Sequence, residues 1–95
     1  MSKTGYVYVM SNWSDQVIYT GVTSDLKGRT YQHRHGLTGG FTARYNCTKL
    51  VYFEAVHNMT SAIQREKQIK NYSRQHKIKL ISSGNPSWRD LYDEI

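Results

Sequence analysis

Two runs rich in β-branched and aromatic residues, 5–11 (Gly-Tyr-Val-Tyr-Val-Met-Ser) and 16–22 (Gln-Val-Ile-Tyr-Thr-Gly-Val), are separated by only Asn12-Trp13-Ser14-Asp15. Such residues fit the pleated surface of a strand, while Asn, Ser and Asp supply turn chemistry, so the segment predicts a tight antiparallel hairpin. A symmetric loop pairs Ser11 with Gln16, Val9 with Ile18 and Tyr8 with Tyr19. Directly opposed residues project from one side of a sheet, so both phenols share a face. Tyrosines on strands ordinarily serve packing. A phenol can also position or deprotonate water.

The remaining pattern predicts a helix from Ser24, as N-cap, to His35, stopped by Gly36. Gly39-Gly40 reads as loop and residues 48–56 as a third strand. Thr60 is placed as the cap of a helix reaching Asn71, and a further helix is expected over 74–82, broken by Gly84-Asn85-Pro86. The segment around Trp88 is expected to pack back as core. The order β-β-α-β-α-α gives an α+β fold, a small three-stranded antiparallel sheet flanked by helices. At 95 residues the chain is expected to form one domain. No apolar run approaches the roughly 18–20 residues that cross a bilayer, and the N-terminal residues lack an export pattern, so a cytoplasmic, non-membrane protein is expected. Cys47 is the single cysteine, which excludes an internal disulfide, and it is expected to fill apolar space. His35, His57 and His76 lack metal-ligand spacing.

Polar groups fall where apolar ones belong. On a helix turning about 100° per residue, Arg29 and His33 lie within about 60° of the inward Leu26. On the later helix, Glu66 lies about 40° from Ala62, inside the stripe completed by Ile69. A carboxylate there is costly unless paired, hydrogen-bonded or bound to metal. A structural Glu66–Arg29 ion pair is one reading. The other is a phosphodiesterase site in which Arg holds phosphate, Glu a hard cation, and a phenol or imidazole the water.

Charge points to the partner. The chain carries thirteen Lys and Arg against seven Asp and Glu, +6, and residues 1–79 concentrate twelve of those cations against four acids. Basic surface favours nucleic acid through phosphate contact, although many small domains are basic for solubility alone. Candidate phosphate contacts are Lys27, Arg29 and Arg34 on the first helix and Lys67, Lys70 and Arg74 later, with Lys77 and Lys79 extending that face. A solvated surface is the alternative. Trp13 at the hairpin tip is a candidate for stacking on a base.

These residues also resemble a known family. Tyr6-Val7-Tyr8 and Tyr19-Thr20-Gly21, with Tyr19 eleven positions after Tyr8, are similar to the paired signature of the GIY-YIG nuclease superfamily. Arg29 follows Gly21 by eight positions, His33 comes one turn later, Glu66 sits on the helix after the third strand, and Asn85 lies in Gly84-Asn85-Pro86. The likeness covers nearly the whole chain and is closest to small stand-alone bacterial members. It implies a metal-dependent DNA endonuclease using one divalent cation, Mg²⁺ or Mn²⁺, in DNA repair or processing, with no organic cofactor. Glu66 would hold the metal, a role a lone carboxylate suits because Mg²⁺ keeps several waters. Arg29 would offset charge on the phosphate. Tyr19 would orient or deprotonate water, with Tyr8 helping to hold water or phosphate. His33 would assist as acid/base or contact phosphate, and Asn85 would orient a neighbour. A phenol, ordinarily near pKa about 10, needs nearby cations to act as a base.

The chain departs from the pattern in four places. Tyr6 stands where the first motif begins with Gly, Thr20 replaces Ile or Val, and Val22 replaces a lysine carried by some members. Gly28 costs its helix about 1 kcal/mol relative to Ala. None of these removes a proposed catalytic side chain. A basic nucleic-acid-binding module that is catalytically weak or inactive is the alternative function. A structural or protein-interaction role, including a homo-oligomer, is the third.

Overall fold

The computed structural model describes residues 3–95. The hairpin forms as β1 (Gly5–Ser11) and β2 (Ile18–Thr23), followed by α1 (Leu26–Arg34), α2 (Gly40–Arg44), β3 (Lys49–Val56), α3 (Met59–Lys70), α4 (Arg74–Gly84) and a 3₁₀ turn at Tyr92–Glu94. The strands make an antiparallel sheet of order β2-β1-β3, with β1 in the centre. This is the expected α+β arrangement with one added element, α2, where Gly39-Gly40 reads as loop. Gly39 holds a positive φ as the N-cap of α2, and the five-residue helix folds over α1.

The hairpin register differs from the symmetric one by two residues. Tyr8 pairs with Gly21 and Met10 with Tyr19. The cause lies in the loop: Asn12 Oδ1 accepts the N–H groups of Gln16 and Val17 at 3.0 and 3.1 Å, and Asp15 takes a left-handed φ of 61°. That Asx-type closure uses residues 12–17 rather than 12–15. A slip of two preserves side-chain facing, so Tyr8 and Tyr19 remain on one face, diagonal rather than opposed. Tyr8 faces a glycine for a steric reason. A Cβ on Gly21 would overlap the Tyr8 ring and hydroxyl. The phenol therefore lies across the edge strand, with its hydroxyl at the border of the sheet.

The faces of the sheet bury different layers. Tyr8 and Met10 pack with Leu26, Cys47 and Leu50 under α1 and the C-terminal segment. Val7 packs with Ala62 and Ile69 of α3, and Val9 with Val51, Ile81 and Trp88 of α4 and its following turn. Cys47 and Trp88 are thus core, as expected.

Helix ends correct three boundaries. The cap of α1 is Asp25, not Ser24: its carboxylate accepts the Gly28 N–H at 3.0 Å. Gly28 is the residue that permits this, because a Cβ there would collide with the Asp25 carboxylate. The cap of α3 is Asn58 rather than Thr60, bonding the Ser61 N–H at 2.8 Å. Helix α4 runs through Gly84, two residues past the expected end at 82, with Asn85 of the expected Gly84-Asn85-Pro86 break as its C-cap.

Overpacking a fitted site costs about 1–3 kcal/mol, and 1 kcal/mol moves the Tm of a domain this size by about 4–8 °C. Gly21→Ala is accordingly expected to lower Tm by at least about 5 °C in a thermal melt, with Gly84→Ala, where nothing lies within 4 Å of the new Cβ, as the control. An unchanged Tm for Gly21→Ala would show that Tyr8 does not need the space.

Candidate active site

At the β2 border, three rings from three elements converge. The Tyr8 and Tyr19 centroids are 6.4 Å apart, Tyr8 and His33 5.5 Å, and Tyr19 and His33 5.6 Å. Tyr8 is almost fully buried and its hydroxyl lies 2.8 Å from His33 Nε2. Burial, with the neighbouring Tyr19 and Glu66, raises the Tyr8 pKa against a smaller lowering by Arg29, so the phenol stays protonated. Burial and then Arg29 lower His33 from 6.5 to about 4. His33 Nε2 is the one hydrogen-bond partner of the Tyr8 hydroxyl among the described residues, so the phenol proton is satisfied by donation to Nε2. By this assignment from the network, the ring proton sits on Nδ1. That nitrogen meets Thr42 Oγ1 at 3.0 Å and Thr38 Oγ1 at 3.2 Å. The two threonines, themselves 3.0 Å apart, are one helical turn from each other in sequence. Thr38 lies ahead of the Gly39 N-cap and only Thr42 belongs to α2, the short helix that sequence reasoning missed.

Around this neutral pair stand charged groups. Arg29 is exposed rather than inward, and among the described residues its guanidinium makes no ion pair or side-chain hydrogen bond. Both Arg29 and Glu66 act on the Tyr8 phenol electrostatically, in opposite senses. The expected alternative of a Glu66–Arg29 ion pair is not what forms. Glu66 pairs with Lys70, at 3.1 Å, one turn further along α3. Buried Ala62 and Ile69 seat α3 on Val7, and beside them the Arg65 fork bonds both oxygens of Glu54 on β3 at 2.9 Å. Arg65 hydrogen bonding keeps Glu54 below the usual carboxylate range. With Arg65 turned to β3, the adjacent Glu66 turns towards β2, where Lys70 reaches within 6.0 Å of the Tyr19 ring.

Other predicted residues are placed elsewhere. Tyr8, given a part in holding water or phosphate, spends its hydroxyl on His33. The Asn85 side chain is buried and bonds the backbone of Val51 and Arg89, and none of its hydrogen bonds reaches the ring cluster. Lys27 is tied to the carbonyls of Tyr92 and Ile95, Arg34 to Asp90, and Arg74 to the Gln16 carbonyl. Lys67 is exposed. Trp13 is 68% exposed at the hairpin tip, near Lys49. No group of three or more His, Cys, Asp or Glu suited to a metal occurs among the described residues. The donor chemistry at this site is therefore one carboxylate, which fits a hydrated Mg²⁺ and does not fit a closed zinc site. No described helix is long and apolar enough to cross a membrane.

The structure thus gathers Tyr8, Tyr19 and His33 at one border of a small α+β sheet, with Arg29 exposed on α1 and Glu66 on α3. Residues 4–79 match the GIY-YIG catalytic domain, and the chain belongs to that family, a nuclease superfamily. It is 40% identical over 90 residues to a UPF0213 protein of Clostridium perfringens, covering 95% of this chain and 96% of that one. It is 34% identical over 84 residues to a UPF0213 protein of Haloquadratum walsbyi, covering 88% and 93%. The solution structure of a UPF0213 protein from Bacillus halodurans superposes with a TM-score of 0.58 at 26% identity, covering 93% of each chain.

The neutral His33 carries a pH signature. The unfolded imidazole binds a proton below about 6.5 and the native one only near 4, so acid between these values favours the unfolded chain. Stability is full above pH 6.5 and declines towards pH 4, by roughly 2–3 kcal/mol from this group. Urea midpoints measured at pH 7 and pH 4.5 are expected to fall less in His33→Gln than in wild type. Parallel falls would contradict a neutral buried His33.

Proposed function

We propose that this protein is a metal-dependent endonuclease acting on DNA. The observation that carries the reading is the convergence of an unengaged guanidinium, a helix-borne carboxylate and the Tyr19 phenol around a neutral Tyr8–His33 pair. Tyr8 and His33 hold one another and set the wall of the site. No hydrogen bond engages the Tyr19 hydroxyl among the described residues, which leaves it to align an attacking water. The planar fork of Arg29 takes two phosphate oxygens and stabilises the charge that grows on them as water attacks phosphorus. Glu66 is the residue that would hold Mg²⁺ or Mn²⁺, which when bound polarises the phosphate and neutralises the leaving oxygen. Cleavage of one strand in repair or processing of DNA is the corresponding role.

One observation favours the alternative of a binding module without turnover: Lys70 already sits on Glu66. The magnitude argues against it. An i,i+4 pair with its lysine half-exposed is worth about 0.3–0.5 kcal/mol, whereas a divalent cation brings twice the charge and further phosphate ligands. Lys70 then becomes free for the DNA backbone.

Nicking of supercoiled DNA is expected with Mg²⁺ or Mn²⁺ and not with EDTA. Glu66→Gln and Arg29→Ala are each expected to slow it at least about 100-fold, the scale of removing one charge-stabilising contact, with wild-type melting profiles. Salt-sensitive binding with no cleavage by wild type would instead identify the binding module. Equal nicking by Glu66→Gln would remove the carboxylate from the mechanism.

A further inference from the structure

Helix α2 has two faces. Thr42 points inward to His33, while Phe41 and Tyr45, one turn apart, are 46% and 41% exposed. Their rings are 4.7 Å apart, and Phe41 is 6.1 Å from Tyr19. A continuous row of rings therefore leads outward from the reacting cluster through Tyr19 and Phe41 to Tyr45, with Arg44 within 5.5 Å of the last ring. Between Phe41 and the sheet edge lies an open recess of about 290 Å³, lined by Ile18, Tyr19, Thr20, Phe41, Lys70 and Lys77. Its walls are apolar and aromatic. Its charged members are two lysines, and no carboxylate lines it.

We infer that this recess is a nucleotide subsite in which an unpaired base, next to the phosphate held at Arg29, stacks on Phe41 while Lys77 and Lys70 contact the flanking backbone. The inference rests on the nuclease reading of the same site and names the substrate feature it selects. Aromatic rings accept any base because every base has a π-face, and lysines supply the sequence-independent phosphate term. A base inside a duplex already covers both its faces, so it reaches Phe41 only by leaving the stack. DNA with an unpaired nucleotide beside the scissile bond is thereby preferred over fully paired DNA. An apolar protein ligand fits less well, because the recess is rimmed by cations.

The test uses 2-aminopurine placed once at an unpaired position and once at the same position fully paired, titrated with the full chain in EDTA so that cleavage plays no part. Wild type is expected to quench the unpaired probe. Phe41→Leu, which keeps an apolar side chain but removes the ring, is expected to abolish the quenching and weaken affinity for the unpaired DNA about tenfold. Phe41→Tyr is expected to restore both. Quenching that survives Phe41→Leu, or that is equal for paired DNA, overturns the subsite. Adding Mg²⁺ to the same wild-type complexes separates the two claims. Quenching without cleavage keeps the stacking platform and removes the nuclease reading, while cleavage without quenching does the reverse.

Discussion

The hydrogen bond from the Tyr8 hydroxyl to His33 Nε2, 2.8 Å long and buried, holds the site together. It joins the central strand to α1, and through Nδ1 it extends to α2 by way of Thr42 and Thr38. Burial disfavours both phenolate and imidazolium, so the same desolvation that raises one group and lowers the other keeps the pair neutral. A net hydrogen bond contributes only about 1 kcal/mol, but removing one partner strands a buried polar atom at about 1–3 kcal/mol. The geometry is therefore enforced more by the cost of breaking it than by the strength of the bond. Gly21 on β2 is the steric condition for it, since any side chain there would occupy the space of the phenol.

From that neutral centre the chemistry separates by position. Groups that set geometry lie inside, and groups that carry charge lie at the rim: Arg29 exposed, Glu66 and Lys70 at the α3 border, Lys77 in the neighbouring recess. Arg29 and Lys70 keep much of their hydration, so holding them costs the fold little, while the largely buried Glu66 carboxylate is compensated by its pair with Lys70.

Much of the architecture was legible because its signals are local. Strand runs, the Asn12–Asp15 turn and the helix stripes through Leu26, Ala62 and Ile69 depend on periods of two and 3.6 residues. The register was not, because Asn12 closes a wider loop than a count of turn residues reveals. The facing of Tyr8 and Tyr19 survived only because the slip was two rather than one. At the site, the misplaced polarity of His33 and Glu66 was readable, but their partners were not. Whether Glu66 meets Arg29 or Lys70 depends on how α3 seats on the sheet, which the packing of Ala62 and Ile69 on Val7 and the Arg65–Glu54 pair set only in the folded chain. Asn85 was visible as an asparagine after a helix, while its bonds to Val51 and Arg89 arise only from packing. Helix α2 escaped notice because two glycines masked a turn whose Thr42 docks on a residue of another helix.

The neutral, proton-fixed His33 is the point on which the arrangement turns, and long-range ¹⁵N–¹H correlation of the imidazole measures it directly. At pH 5.5 the account predicts a neutral ring with the proton on Nδ1 and a bare Nε2 accepting from Tyr8. A doubly protonated ring at that pH, or a proton on Nε2, would contradict it.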